Sequence, residues 1–517
     1  MGAFDVPRPL IPDLIVQHGR WYPDKPALIC GERRLSWRKF DRSTNQVANG
    51  LAGLGLAPGA RLAVLMANGV EMAQVLFGCG KAGVTVVPLN TSVSDPAIGA
   101  MIADSGAVAI AASGDHCARI DALVASGALP AALVKLGVDS PRAGWVEFAD
   151  WLDAQSVEVP AVTVAPDTEC NIIYSSGTTA LPKGIVHTHA CRMHWATDLG
   201  LALRYHSGAV TLCSLGLYSN ISWATMLATI LMGGTLVVMP AFSAEGLLEH
   251  VERHRVTHGG FVPVQFQRLL EHPDLDRRDI SSLQTIMCCG SPLAPALKRA
   301  TRDRLECDLI ELYGLTEGII TTLAPEDFDR KIESVGKPIP GQQLKLVDND
   351  GRETAPGESG EIVGYGRLVM EHYHNRPDAT AEATWTDELG RRWLRTGDIG
   401  RLDEDGFLYI VDRKKDMILS GGQNVYPGDI EAVMLSHPDV AEVAVIAVPS
   451  ERWGEAPMAV VVPRAGSSIE PAALVAWTNA RVGKQQRVSR IVLRDSLPRN
   501  PNGKILKREL RAEYVSA

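Results

Sequence analysis

Residues 174–184 read YSSGTTALPKG, small hydroxyl residues on both sides of a glycine, an apolar step, then a lysine beside a second glycine. A loop that holds a phosphate needs backbone N–H groups free to point at the anion, which favours glycine, and hydroxyl donors to complete the cradle. Ser175, Ser176, Gly177, Thr178, Thr179 and Gly184 supply both, and Lys183 supplies a positive charge. The order is not that of the nucleotide-hydrolase loop, which places glycine before the lysine and a hydroxyl after it, whereas here Lys183 precedes Gly184. A turn between two strands uses the same residue types but does not call for this ordered string. Four more stretches follow along the chain: CGSPL at 289–293, YGLTE at 313–317, RTGD at 395–398 and RNPNGK at 499–504. Singly, YGLTE reads as a capped helix start, RTGD as a hairpin turn and PNGK as a type I′ turn. Their occurrence together, in this order, calls for a common cause.

The string at 174–184 resembles the phosphate loop of the adenylate-forming superfamily: acyl- and aryl-CoA synthetases, peptide-synthetase adenylation domains and firefly luciferase. That family usually has YTSGTTGxPKG, and Ala180 stands here at the second glycine. The other stretches resemble the remaining family signatures in the family's order, so the resemblance covers nearly the whole chain. It implies that ATP, Mg²⁺ and coenzyme A are used. Tyr313 and Gly314 would flank adenine together with Gly290, Ser291 and Pro292, Thr316 would contact the α-phosphate, and Glu317 would hold the metal. Asp398 would bind both ribose hydroxyls, a role suited to a carboxylate because it accepts two hydrogen bonds at once, with Arg413 as second ribose ligand. Lys504 would be the catalytic lysine. After adenylation the family rotates its C-terminal domain about a pivot matching Lys415 and presents a glycine-rich face, here Gly421 and Gly422, to the thiol.

By family position the acyl pocket is lined by Tyr218, Ser219, Asn220, Ile221, Phe261, Val262, Cys288, Cys289 and Gly314, an uncharged set. An α-amino acid would want an aspartate for its ammonium, and Ser219 stands at that place; many acyl-CoA ligases carry a histidine there. A dicarboxylic acid would want a cation deep in the pocket, and none is evident from the sequence. An apolar acid, aliphatic or aromatic, fits best. The implied reaction is carboxylate plus ATP to acyl-AMP and pyrophosphate, then acyl-AMP plus CoA to acyl-CoA and AMP. Alternatives are transfer of the acyl group to a carrier protein or an amine, and a non-catalytic acyl-nucleotide-binding protein; the presence of Lys504, Glu317, Asp398 and Arg413 argues against the last. His187, His189, Cys191 and His194 have the residue types of a zinc site, but they fall where the family has a strand leading into a helix. Asp495-Ser496-Leu497 imitates a carrier attachment site, but only residues 498–517 follow it, and Arg494 stands in place of the usual glycine.

The elements that must position these residues show in the hydrophobic pattern. Helical stretches at 40–54, 72–82, 247–253 and 295–305 are followed by short apolar runs at 61–66, 85–88, 258–262 and 309–312. Such alternation predicts an α/β fold with a largely parallel core. Residues 225–239 read as a buried helix, a turn at Gly233-Gly234 and a strand, being too short to span a bilayer. After Pro338 the texture turns to alternating strands with DNDG and DEDG turns, a β module. The charged run 412–416 sets the boundary between an N-terminal ATP- and acid-binding domain, 1–412, made of layered α/β sheets plus that module, and a small mobile α+β C-terminal domain, 413–517, with helices at 427–436 and 471–481 and strands at 440–448 and 459–462. With 517 residues, more than one core is expected. Fifty-one basic against 60 acidic residues give −9, with no basic run for nucleic acid. Nine cysteines without a CxxC pair suit a reducing, cytoplasmic compartment. The N-terminal MGAFDVPRPL lacks a secretory pattern, no integral membrane contact is expected, and a homodimer is admitted.

Overall fold

In the computed structural model the chain packs as two compact units, residues 1–332 with 338–343 and 365–384, and residues 333–337 with 344–364 and 385–517. The residues described are 9–114, 116–175, 182–420, 423–499 and 504–515.

The first unit is built on two sheets. One runs Ile320–Leu323, Asp308–Gly314, Thr285–Cys288, His258–Phe261, Val210–Cys213, Thr235–Val238, Pro26–Cys30, Arg33–Ser36, parallel throughout except at its outermost pairs. The other runs His372–Tyr373, Lys183–Thr188, Glu169–Ser175, Thr85–Pro88, Arg61–Leu65, Ala109–Ser113, Val134–Val138, Val146–Glu147, parallel apart from its first two pairings. Helices Ile11–Trp21, Trp37–Gly53, Val70–Ala82, His189–Ala202 and Asn220–Met232 share one core with residues of both sheets, among them Leu28, Leu62, Val86, Leu236 and Ile310. Separate cores cover the outer faces. Helices Ala244–His254, Pro263–Leu270 and Pro295–Leu305 pack on the first sheet, and Asp95–Ser105 and His116–Ala125 on the second. The result is five layers; Val70–Ala82 and Asn220–Met232 are buried along almost their whole length and are apolar nearly all round, whereas Ile11–Trp21 and Trp37–Gly53 keep a polar exposed face.

The local signals explain the element ends. Ser36 accepts from Lys39 N at the start of Trp37–Gly53, and Ser243 accepts from Gly246 N at the start of Ala244–His254. Helix Asn220–Met232 stops at Gly233, whose φ of +67° is the left-handed turn that lets Thr235–Val238 run back along the sheet. Among the described residues no helix is long and apolar enough to cross a membrane.

The second unit holds most of the β module, whose strands are Gln342–Val347, Ser359–Gly366, Arg392–Leu402, Leu408–Arg413 and Thr384–Thr386 and whose small core gathers Val347, Val363 and Trp393. It also holds a sheet of Gln423–Val425, Ile418–Ser420, Gly454–Pro463, Val440–Ser450 and Arg490–Leu493, covered by helices Pro427–Leu435, Pro471–Asn479 and Lys507–Val515.

One buried ion pair braces the first sheet. Lys298, on helix Pro295–Leu305, bonds Glu311 on the strand Asp308–Gly314, and both are almost wholly buried. Glu311 also accepts from Leu293 N at 3.2 Å, and Lys298 Nζ reaches the Ile332 carbonyl at 2.5 Å. Removing one partner strands a charge in the core, whereas replacing both with apolar groups does not. Lys298→Met is expected to destabilise the fold by about 3–5 kcal/mol and Lys298→Met/Glu311→Leu by much less, read from urea denaturation; equal losses would contradict the pairing.

Candidate active site

The phosphate-loop string begins and ends on a two-stranded frame. Strands Glu169–Ser175 and Lys183–Thr188 run antiparallel, with Tyr174 opposite Gly184 and Ser175 opposite Lys183. A Cβ at Gly184 would lie 2.9 Å from Ile172 Cγ2 and 3.1 Å from Tyr174 Cζ, so the tyrosine ring covers a position that must stay bare. Tyr174 in turn donates to Asp104 Oδ2 at 2.8 Å. Ser176, Gly177, Thr178, Thr179 and Ala180 lie outside the described residues, as do Gly421 and Gly422.

Lys183 and Glu317 flank one tyrosine. Lys183 Nζ stands 4.7 Å from the centre of the Tyr373 ring, and the Tyr373 hydroxyl donates to Glu317 Oε1 at 2.8 Å. Next to them, His187 Nε2 donates to the Thr316 carbonyl at 2.9 Å. Burial holds the His187 imidazole well below its usual range, with the Arg192 charge adding to the effect, so it is neutral and carries its proton on Nε2. Gly290 to Pro292 and Tyr313 to Glu317 are partly or fully exposed and follow the carboxyl ends of two parallel strands, the edge where open α/β sheets place ligands. Gly290 turns there at φ +96°.

Of the nine residues assigned to the acyl pocket, Phe261, Cys288 and Gly314 lie on strands, where side chains alternate between faces. Tyr218, Ile221 and Cys289 pack against the central core, and a Cβ at Gly290 would meet Ile221 Cδ1 at 3.2 Å and Val262 Cγ1 at 3.4 Å. Phe261 and Cys288 pair across adjacent strands and point the other way, into the outer core with Phe266 and Leu293. Their side chains therefore leave the candidate lining. Gly260 and Met287, also paired, take their place beside Ile221 and Thr225, and a reading of the strand period would have found them. Gly314 has no room for a side chain, since a Cβ would lie 2.5 Å from the Ile319 carbonyl. Ser219 is the cap of helix Asn220–Met232, accepting from Ile221 N at 3.3 Å.

Behind Asn220, one of the nine, stands a cation that the sequence reading did not single out, Arg192. It is wholly buried on helix His189–Ala202, and its Nη1 donates to Asn220 Oδ1 at 2.9 Å. Its signal in the sequence was an arginine in the register of Trp195, Ala196 and Leu199, all core residues of that helix. Among the described residues no group of three or more His, Cys, Asp or Glu is placed to hold a metal ion; Cys191 Sγ donates instead to the Leu368 carbonyl at 3.5 Å.

In the second unit, Asp398 and Arg413 sit directly opposite on adjacent strands, with Arg413 Nε 3.2 Å from Asp398 Oδ1. RTGD is thus the interior of a strand, with Gly397 at φ +70° and Thr396 Oγ1 accepting from Asp398 N at 3.0 Å. Lys504 is close enough to feel the charges of Arg413, Asp398, Lys415 and Asp416; burial first and Arg413 second pull its amine down to about 7. Beside it, Arg499 and Ile505 form an antiparallel bridge and Leu506 N donates to Pro498 O at 2.8 Å. Arg511 reaches Asp416 Oδ1 at 3.0 Å and the Lys415 carbonyl at 3.4 Å.

The AMP-binding enzyme family model matches residues 16–374, and the AMP-binding enzyme C-terminal domain model matches residues 429–504. A feruloyl-CoA synthase of Amycolatopsis sp is 34% identical over 502 residues, covering 96% of this chain and 98% of that protein. The fatty acid–[acyl-carrier-protein] ligase ScoC of Streptomyces coeruleorubidus is 34% identical over 511 residues, covering 96% and 95%. Among solved structures, a Mycobacterium tuberculosis fatty acyl CoA synthetase matches with a TM-score of 0.79 and 31% identity, over 98% of both chains.

An amine that titrates near 7 is mostly uncharged at pH 8. In the ligand-free protein, trace acetylation of Lys504 followed by peptide mapping is expected to rise with a midpoint at about 7. A midpoint at the ordinary lysine value, about 10.4, would contradict the burial.

Proposed function

Because the chain belongs to the AMP-binding enzymes, the adenylate-forming superfamily, we propose that it is an ATP-dependent carboxylic acid–CoA ligase acting on an acid with a mainly apolar aliphatic or aromatic body. The observation that carries this reading is the placing of Lys183 and Glu317 about Tyr373, a cation for a polyphosphate beside a carboxylate for its metal, with Lys183 next in sequence to the hydroxyl- and glycine-rich string.

A carboxylate cannot acylate a thiol directly, because the leaving group would be an oxide; a mixed anhydride with AMP supplies one. In the first step the acid oxygen attacks the α-phosphorus in line and pyrophosphate leaves, a reaction governed by positioning and charge neutralisation. Lys183 and the loop N–H and hydroxyl groups would hold the phosphates, Thr316 and Lys504 the α-phosphate, and Asp398 with Arg413 the ribose. Glu317 and Thr316 offer the oxygen donors that Mg²⁺ takes, and the ion would neutralise phosphate charge. In the second step the thiol attacks the acyl carbon and AMP leaves. The proposed functional boundary is 412/413, with Lys415 as the pivot, and Gly421 and Gly422 would line the thiol's path.

Transfer to a carrier protein is the second reading, favoured by the carrier-protein ligase among the relatives. Both share the first step and part at the acceptor. Product analysis with CoA, a phosphopantetheinyl carrier protein and simple amines separates them: acyl-CoA as the main product supports the proposal, and acylated carrier or amide in its place overturns it.

Asp398→Ala is expected to weaken ATP binding by about 1.5–3 kcal/mol; calorimetry showing unchanged affinity in a folded variant would reject the ribose assignment. Lys504→Ala is expected to slow acid-dependent pyrophosphate exchange by about 10²–10³ while added acyl-adenylate is still converted with CoA. Equal loss of both half-reactions would speak against a lysine that serves only the first.

A further inference from the structure

Arg192 is a buried cation without a counter-ion among the described residues. Its Nε donates to Asn171 Oδ1 at 2.6 Å and its Nη1 to Asn220 Oδ1 at 2.9 Å, while Nη2 has no hydrogen-bond partner among the described residues. The guanidinium carbon lies 5.0 Å from the Trp223 ring and 5.2 Å from the Trp195 ring. The acidic groups that reach it are the thiols of Cys191 and Cys170, and burial pushes both up to about 12, so they carry no charge. Burial draws Arg192 itself down to about 10, which leaves it protonated at neutral pH. Replacing such a group by an apolar one would relieve the fold of a desolvated charge, so its presence in this core calls for a use.

That use follows from Asn220. The amide is half-buried at the first turn of helix Asn220–Met232, between the cap Ser219 and Ile221, which faces Gly290 and Gly260. Because Arg192 occupies its oxygen, the amide has one orientation: Oδ1 toward the guanidinium, Nδ2 away from it. Nδ2 makes no hydrogen bond to the protein among the described residues and is thus a pure donor, strengthened by the cation that polarises its oxygen. We propose that Arg192, acting through Asn220, makes the acyl site select acids whose acyl body carries a neutral oxygen acceptor, such as an ether, hydroxyl or carbonyl oxygen. A hydrocarbon body would bury the N–H donors unpaired, an ammonium would be repelled, and a second carboxylate would give up its water for an uncharged amide.

The inference rests on the acid-adenylating reading, and the test keeps the two apart. Pyrophosphate exchange is measured with isosteric pairs, 3- and 4-methoxy- against 3- and 4-ethyl-substituted benzoates and cinnamates, with 4-carboxybenzoate alongside. For at least one pair the wild type is expected to favour methoxy over ethyl about five- to tenfold in kcat/KM, mostly through KM. Arg192→Met and Asn220→Leu are each expected to bring that ratio to about one, and Arg192→Lys to restore part of it. The ratio within each variant is the readout, since a merely structural residue lowers both acids together, and Asn220→Leu carries the test if the core variant does not fold. A wild-type ratio of one in every pair, a ratio untouched by either substitution, or 4-carboxybenzoate as the preferred acid would overturn the inference alone. No exchange with any acid would overturn the adenylation reading, and this inference with it.

Discussion

The first unit depends on a seam between its two sheets. Gly318, just past the strand Asp308–Gly314, has φ +113°, and a Cβ there would lie 1.9 Å from the Leu368 carbonyl, so no side chain fits. The segment it touches stitches outward on both sides. Met370 N donates to Glu317 O at 2.7 Å, Glu371 N to Val186 O at 3.0 Å, His374 N to Gly184 O at 2.7 Å, and Trp195 Nε1 to the Leu368 carbonyl at 3.0 Å. One short stretch of chain thereby fixes the YGLTE loop of one sheet against the PKG strand of the other. The placement of Lys183, Thr316 and Glu317 follows from that seam more than from their own contacts. A site held by packed backbone keeps its geometry while substrate charges come and go.

Two buried cations and one partly buried cation show three solutions to one electrostatic problem. Lys298 is neutralised by Glu311 and serves the sheet. Lys504 meets the problem by holding its proton weakly, at about 7, and a phosphate brought near it would restore the charge where it is needed. Arg192 holds a proton too tightly for that, at about 10, and spreads its charge into two amides and two indole faces. Only the first is explained by stability.

The sequence made the layered architecture legible because periodicity and caps are local signals. The helix expected at 295–305 is Pro295–Leu305, and the one at 247–253 extends to Ala244–His254 because Ser243 caps it three residues earlier. Motif residues were legible for the same reason, each being a short ordered string. What escaped was sidedness. Family position puts Phe261 and Cys288 beside Val262 and Cys289, yet a strand turns every second side chain to the opposite face, and Gly260 and Met287 face Ile221 and Thr225 in their stead. Arg192 escaped because its meaning lies in Asn220, 28 residues away. His187 escaped likewise, since its role is the Thr316 carbonyl 129 residues on.

The central claim is that a carboxylate oxygen of the substrate attacks the α-phosphorus of ATP. It is tested most directly by supplying a substrate acid labelled with ¹⁸O in both carboxylate oxygens, together with ATP and CoA, and examining the nucleotide and phosphate products by mass spectrometry. Attack at the α-phosphorus followed by displacement at the acyl carbon predicts AMP carrying one ¹⁸O and unlabelled pyrophosphate. Label in orthophosphate with ADP as the nucleotide product, or AMP formed without label, would contradict it.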